Sequence, residues 1–393
     1  AVRRWQLPLA TSHVLALDSG EALHAWLKNG RLLTSLAAEA RLRDPSSGNT
    51  LVLPPVVSER REAKVEFVGP VAESENGEVV ACGLTDGQVA VWRLKEGIWE
   101  GFLIDAGPEV TALAIAGNGS MLVQGARDGS LRWWRTGDQT VVRNAQPHQG
   151  SVTAVIARPA SAGFVTTSVD GTIQQWATNG AGGIISSVKG PIEGLSLNPE
   201  GSILLARSSA RGSAVYVVAT GVTIPVRYLS GPMHAIETAM FARGGKVVAT
   251  LSADGAARTW DFLHRLLTNT VVVDLDGPTA IGPNGIFVAA AANTGVTKVW
   301  EIATGKLIAE FQDREQKVRA LYWSPDGSSL LLHLGASNEI RMHRLPHRDK
   351  PEELQARLRA ATKYCLPHQL RVRELGEDAL LAHKGFSECV DTE

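Results

Sequence analysis

The chain has 393 residues, 44% of them apolar and 20% charged, with 39 basic against 40 acidic side chains and a formal net charge of −1. That balance gives no electrostatic reason to expect nucleic acid or an anionic membrane as the main partner. No apolar run approaches a membrane span, the stretch 286–292 being typical of the longest. Three cysteines, Cys82, Cys365 and Cys389, make no disulfide framework, and the expectation is a reducing, cytoplasmic setting.

The first residues, Ala1-Val-Arg-Arg-Trp5, carry no basic-then-apolar leader and read as the end of a repeat. The expectation is a piece of a longer polypeptide with a linked upstream effector domain. Beyond them, one feature recurs along the chain. A glycine closing a short polar turn between apolar runs stands at Gly30, Gly77, Gly119, Gly163, Gly201, Gly245, Gly285 and Gly327, with separations of 38 to 47 residues. A period of roughly 40–45 residues is that of one four-stranded blade of a β-propeller.

Within each unit a strand such as 152–157 or 318–323 runs into a turn, for example Ser324-Pro325-Asp326-Gly327, and a second apolar strand follows. Then comes a tight turn, most often Asp-Gly: Asp86-Gly87, Asp128-Gly129, Asp170-Gly171 and Asp254-Gly255. Asp-Gly between apolar stretches predicts a two-residue hairpin of type I′. Six residues after each aspartate stands a tryptophan, Trp92, Trp134, Trp176 and Trp260; Thr294 and Trp300 keep the spacing in the seventh unit. The alternation between turn and tryptophan is that of a half-buried strand.

These residues resemble the WD40 repeat. Trp260-Asp261 is the dipeptide that names the family, and Val299-Trp300-Glu301 is a near variant. In the fourth unit His148, Ser168, Asp170 and Trp176 are similar to the hydrogen-bonded set that staples a WD40 blade. The resemblance implies an all-β propeller over residues 1–346, with Asp86, Trp92, Asp128, Trp134, Asp254 and Trp260 in the same structural role. The fifth unit departs from it, with Arg211-Gly212 in the turn and Val217 for tryptophan. The eighth has Ser337-Asn338 and His343, and the first has Ala37-Ala38 in the turn and Arg43-Asp44. These three blades are expected to be looser.

Eight units can be placed, and the eighth lacks an outer strand after 345. An extended segment between Trp5 and Leu17 could supply it, so an eight-bladed ring is the reading favoured. The alternative is a seven-bladed ring starting near Lys64. An unclosed ring would leave exposed sheet edges.

Residues 347–393 read as a helical appendage. Asp349 and Glu352 have capping-box spacing with Pro351 in the first turn, and Leu354, Leu358 and Ala361 share one face. A second stretch carries Leu370, Val372 and Leu375, and a third Leu380, Leu381 and Phe386. The run Ala361-Thr-Lys-Tyr-Cys-Leu-Pro367 with Leu375-Gly376-Glu377 and Cys389 resembles the segment that follows WD40 arrays in bacterial signalling proteins of the STAND and NACHT type. That resemblance implies a sensor propeller.

Chemistry-bearing patterns have plainer readings beside them. Cys365, His368, His383 and Cys389 offer two thiolates and two imidazoles, a possible zinc set, or two small apolar residues between helices; no metal or cofactor is assigned. His148, Ser168 and Asp170 have the residue types of a catalytic triad, but no Gly-x-Ser-x-Gly elbow occurs. No phosphate loop frames Gly244-Gly245-Lys246. Trp133-Trp134 could recognise a ligand or pack in the core. Loops on a rigid scaffold concentrate binding residues, so Arg127, His148, Arg211, Asn293 and Asn338 are the candidates for a partner surface. The expected function is a non-catalytic module that binds protein partners, with an enzyme on a propeller scaffold, an oxidoreductase or hydrolase, as the alternative.

Overall fold

A computed structural model describes residues 12–345 except 57–65, 106, 108, 160–162, 189, 209–213, 220–226, 230–234, 243–244, 262–265, 274–275, 284, 313–316 and 336–337. The chain divides into two compact units, 1–345 and 346–393. The helices read from sequence in the second unit, and the Cys365, His368, His383 and Cys389 set, lie outside the described residues.

The first unit is built of eight four-stranded antiparallel sheets. Each is a meander in which strand a, the innermost, pairs with b, b with c and c with the outer strand d. Blades 1 to 7 take their strands in chain order from residues 22–52, 67–105, 110–145, 152–187, 192–229, 236–272 and 279–312. Blade 8 combines Val318–Trp323, Ser329–Leu334 and Glu339–Arg344 with Ser12–Ala16 as its outer strand. The register runs from Ser12 opposite His343 to Ala16 opposite Glu339. The segment expected to close the ring does so, and the seven-bladed alternative falls away.

The b strands read as continuous apolar runs because both faces of each sheet are covered by neighbouring blades. Val79–Leu84, Met121–Ala126, Gly163–Ser168 and Ser329–Leu334 are buried at every residue. The core is therefore a series of apolar layers between blades, such as Trp133, Phe164 and Trp176 between blades 3 and 4. Trp133 and Trp176 meet edge to face at 5.3 Å between ring centroids. Both residues of Trp133-Trp134 are buried, which makes them packing residues.

The tryptophan spacing translates into one constant register. Trp92, Trp134, Trp176, Trp260 and Trp300 sit on strand c opposite Val80, Leu122, Phe164, Val248 and Val288 of strand b. In blade 5 the residue at this register is Val218, opposite Leu204, one position beyond the expected Val217.

Two turn expectations are corrected. The Asp-Gly hairpins are not two-residue type I′ loops, since only the glycines have positive φ, from 71° at Gly255 to 87° at Gly129. Each glycine N–H instead bonds the carbonyl three residues back, as Gly171 does to Ser168 at 3.1 Å. The result is a four-residue turn ending on a left-handed glycine, the three-residue hairpin loop. The aspartate stays in the turn and accepts from the amide two residues on, as in Asp170 Oδ1 with Thr172 N at 2.8 Å. Gly163, read as a turn glycine, is the first residue of strand b in blade 4.

Candidate partner-binding face

In every blade strand a starts, and the b–c turn lies, at the same end of the sheet. That end of the ring gathers the b–c turns and the connections from each strand d to the next strand a. Six inner strands carry an irregularity of register at their first pairs, where an extra residue is accommodated beside the channel mouth. The residues so displaced are His24, Thr111, Thr153, Glu193, Glu237 and Arg319. Blade 2 has a wider break between Phe67 and Val71, which leaves Val68 64% exposed. The b–c turn of blade 4 adds exposed Val169.

Blade 4 holds the best-developed staple under this face. Trp176 Nε1–H donates to Thr166 Oγ1 at 3.0 Å, and Thr166 Oγ1 lies 2.8 Å from His148 Nε2. His148 Nδ1 lies 2.8 Å from Thr172 Oγ1 and 3.4 Å from Asp170 Oδ2. Thr172 gives its hydroxyl proton to Asp170 Oδ1, so it accepts from Nδ1. The network therefore assigns the imidazole proton to Nδ1 and leaves Nε2 as an acceptor. Burial pushes His148 below the usual imidazole value, against the pull of the Asp170 charge. Burial pushes the Asp170 carboxyl up, but hydrogen bonds from Thr172 and Gln149 outweigh it and hold the group below its usual range.

The hydroxyl in this chain is Thr166, not Ser168. Ser168 Oγ donates to Gly150 O at 2.9 Å and accepts from Asp170 N at 3.1 Å. Its only part is in the turn, and no Ser-His hydrogen bond of a triad is formed. His148 itself is 1% exposed, which removes it from the candidate partner contacts and makes it an internal strut.

Other blades show how the strut depends on the residue two places after the tryptophan's partner. Blade 6 has Thr250 there, and Trp260 Nε1–H donates to it at 2.9 Å. Blade 2 has Cys82, whose buried thiol is pushed up to about 12 by desolvation; the Trp92 indole turns to Pro54 O at 3.0 Å instead. Blade 3 has Gln124, and the buried Trp134 indole N–H has no acceptor among the described residues. In blade 8, His343 takes the tryptophan register and stacks on Phe311 at 4.2 Å between centroids.

Asp254 caps its turn by accepting from Ala256 N at 3.0 Å, and its Oδ2 also accepts from Arg258 Nη2 at 2.6 Å across the same turn. Asp86 and Asp128 cap their turns through Gln88 N and Ser130 N.

Blade 1 has no aromatic staple and builds an ionic one, which sequence reading missed. Arg43 stands opposite Leu32, at the tryptophan register, and Thr34 takes the place of Thr166. Arg43 Nε donates to Glu21 Oε1 at 2.8 Å and Nη2 to Glu21 Oε2 at 2.6 Å. Thr34 Oγ1 also donates to Glu21 Oε1, and Asp18 N to Oε2 at 2.9 Å. The Glu21 side chain is fully buried and Arg43 is 9% exposed. The one sequence signal was an arginine at the tryptophan register, six residues after Ala37.

The remaining candidates divide. Arg127 is 68% exposed and pairs with Glu109 Oε1 at 2.6 Å across the mouth of blade 3. Exposed Asn293 bonds Asp276, its Nδ2 donating to Oδ2 at 2.8 Å. Asn338, left-handed at φ 51°, spends its amide on ring closure, donating to Glu21 O at 3.1 Å. Arg211 lies outside the described residues.

At the opposite end of the ring a groove of about 620 Å³ opens beside blades 3 and 4, lined by Glu75, Asn118, Arg135, Val142, Arg158 and Asn179. Among the described residues no three His, Cys, Asp or Glu side chains cluster as a metal site, and no helix is long and apolar enough to cross a membrane.

Fold and register define the class: this is an eight-bladed β-propeller of WD40 type. The WD domain, G-beta repeat, matches residues 139–177, which take in the outer strand of blade 3 and strands a to c of the stapled blade 4, and the anaphase-promoting complex subunit 4 WD40 domain matches residues 72–157. Among curated proteins the chain is similar to Protein ROOT INITIATION DEFECTIVE 3 of Arabidopsis thaliana, 25% identical over 52% of this chain and 50% of that protein. WD40 repeat-containing protein HOS15 of the same plant is 23% identical over 68% of this chain and 48% of its own length. The p21-activated protein kinase-interacting protein 1-like of Xenopus laevis is 21% identical over 69% and 62%. The chain thus spans about half the length of the plant relatives. Among solved structures, the computationally designed Ika8 protein superposes with a TM-score of 0.61 at 20% identity, over 85% of this chain and all of that one.

Proposed function

We propose that this propeller is a non-catalytic interaction module whose partner is a protein held on the face of b–c turns. The observation that carries the reading is the contrast within that face. Its framework is locked from beneath by buried networks at His148 and Glu21, while Val68, Arg127, Val169, Glu237, Asn293 and Arg319 stand above it exposed. Rigid support under exposed, chemically mixed loops is the arrangement of a recognition surface. The relatives agree in kind, one being named for its interaction with a protein kinase.

The finer reading is a sensor within a multidomain signalling protein, acting in the cytoplasm on a linked effector domain. Its support is the motif in the segment after residue 346, similar to that of STAND and NACHT proteins.

Affinity capture with the intact chain tests the interaction reading. A reproducible protein partner lost from the Val68→Asp/Arg127→Glu variant, and retained by Asn179→Asp at the opposite end, is the expected result. A partner indifferent to the first variant and lost from the second contradicts it, as does turnover of a substrate at the b–c face.

A further inference from the structure

One step of the ring has no covalent link. Strand c of blade 8 ends at Arg344 and its outer strand is Ser12–Ala16, so only five backbone pairs join them. The apolar layer at this junction is also the smallest among the described residues. Leu15, Leu17, Leu32, Leu331 and Ile340 are its buried members, against twelve in the layer between blades 1 and 2.

The ionic staple of blade 1 lies at the same junction. The chain leaves the closing strand at Ala16 and reaches Glu21 five residues later, and Arg43 holds both ends of that bend. Its Nη1 points to Ala16 O at 3.5 Å while Nε and Nη2 grip Glu21. Asp18, between them, accepts from Arg41 and from Arg43 Nη2. From the other side Asn338 of blade 8 donates to Glu21 O, accepts from Leu17 N at 3.4 Å and lies 2.9 Å from His333 Nε2.

We propose that this junction is a latch. The Arg43–Glu21 pair holds Ser12–Ala16 as a releasable strand, and its release is the lowest-energy opening of the ring. A buried ion pair adds little net stability over an apolar contact of the same shape, yet losing one partner leaves a charge stranded away from water. Such a junction does not fray by degrees. It stays shut, or it opens and hydrates Glu21, Arg41 and Arg43 together. Opening uncovers the edge of Glu339–Arg344, whose unpaired backbone groups are a template for another strand.

Native-state hydrogen exchange on the full chain, read by mass spectrometry, tests the latch. Residues 12–17 are compared with two other outer strands, Thr140–Ala145 and Lys306–Gln312. In the unaltered protein the closing strand is expected to exchange about tenfold faster than either. Arg43→Met, which leaves buried Glu21 with only Arg41 Nη1 at 3.9 Å for a cation, is expected to add roughly a hundredfold at residues 12–17 and 339–344 alone. If that variant does not fold, Arg43→Lys keeps the charge but loses the two-point grip, and should add roughly tenfold at the same segments. A closing strand that exchanges in step with the other outer strands overturns the proposal. Acceleration of all outer strands alike by either variant does so too.

Discussion

Thr166 Oγ1 stands 3.0 Å from the indole nitrogen of Trp176, whereas Trp134, at the same register one blade earlier, has no acceptor among the described residues. The same side chain in the same fold position is thus hydrogen-bonded in one blade and not in the next. Trp176→Phe should cost about 1–2 kcal/mol more than Trp134→Phe, because only the first breaks a buried hydrogen bond and unsettles His148. Chemical denaturation of both variants reads the difference; equal losses would show that the relay contributes nothing.

The buried imidazole fixes a direction of pH dependence. His148 is held below the usual 6.5 by burial, so the unfolded chain binds its proton first as pH falls. Its contribution to stability is present in full above 6.5 and declines as pH drops below it. His24, lowered by burial as well, acts in the same sense. Asp170, held low, adds a further loss only under more acid conditions, below the ordinary carboxylate range. The denaturation midpoint should therefore fall between pH 7.5 and 5.5, and His148→Asn should flatten that slope. A midpoint that rises on acidification contradicts the assignment.

Backbone geometry separates two glycines of nearly equal φ. Gly171 (φ 81°) would bring a Cβ to 2.4 Å from Val188 O, while Gly97 (φ 83°) has nothing within 4 Å. Gly97→Ala should cost about 1 kcal/mol from its left-handed backbone alone. Gly171→Ala must also displace the Val188 carbonyl and should cost roughly 2–4 kcal/mol. Thermal unfolding of the pair orders them; equal shifts would argue against close approach at the blade 4 turn.

For the ionic staple, a double-mutant cycle gives the sharpest reading. Glu21→Met or Arg43→Met alone should cost about 3–5 kcal/mol by leaving a buried charge without its main partner. Glu21→Met with Arg43→Met should cost clearly less than the sum of the two, since no charge remains to be stranded. Additive losses would mean the two side chains do not act as a pair.

The repeat was legible because it is local. Asp-to-Trp spacing and the turn glycines fall within single hairpins, so the eight units and even the closing strand could be placed. What failed was chemistry that depends on which of two equivalent groups is reached. Thr166 and Ser168 lie two residues apart on one strand face, and only the register with Trp176 selects the threonine. Asp-Gly reads alike in two- and three-residue loops, so the turn type was misassigned. The Glu21–Arg43 pair was invisible because Glu21 stands just before strand a and Arg43 at the end of strand c, and a charged pair in place of tryptophan has no motif. Candidate contacts chosen by loop position mixed exposed Arg127 with buried His148 for the same reason: sequence locates a turn but not which way its side chains face.

The central claim, recognition on the face of b–c turns, is tested most directly by a hydrogen-exchange footprint of the captured complex. Protection should fall on residues 66–70, 127–130, 146–151 and 169–172 around the channel mouth, leaving the groove residues Asn118 and Asn179 at the opposite end unchanged. Protection confined to the groove, with the b–c turns exchanging as in the free protein, would contradict the account.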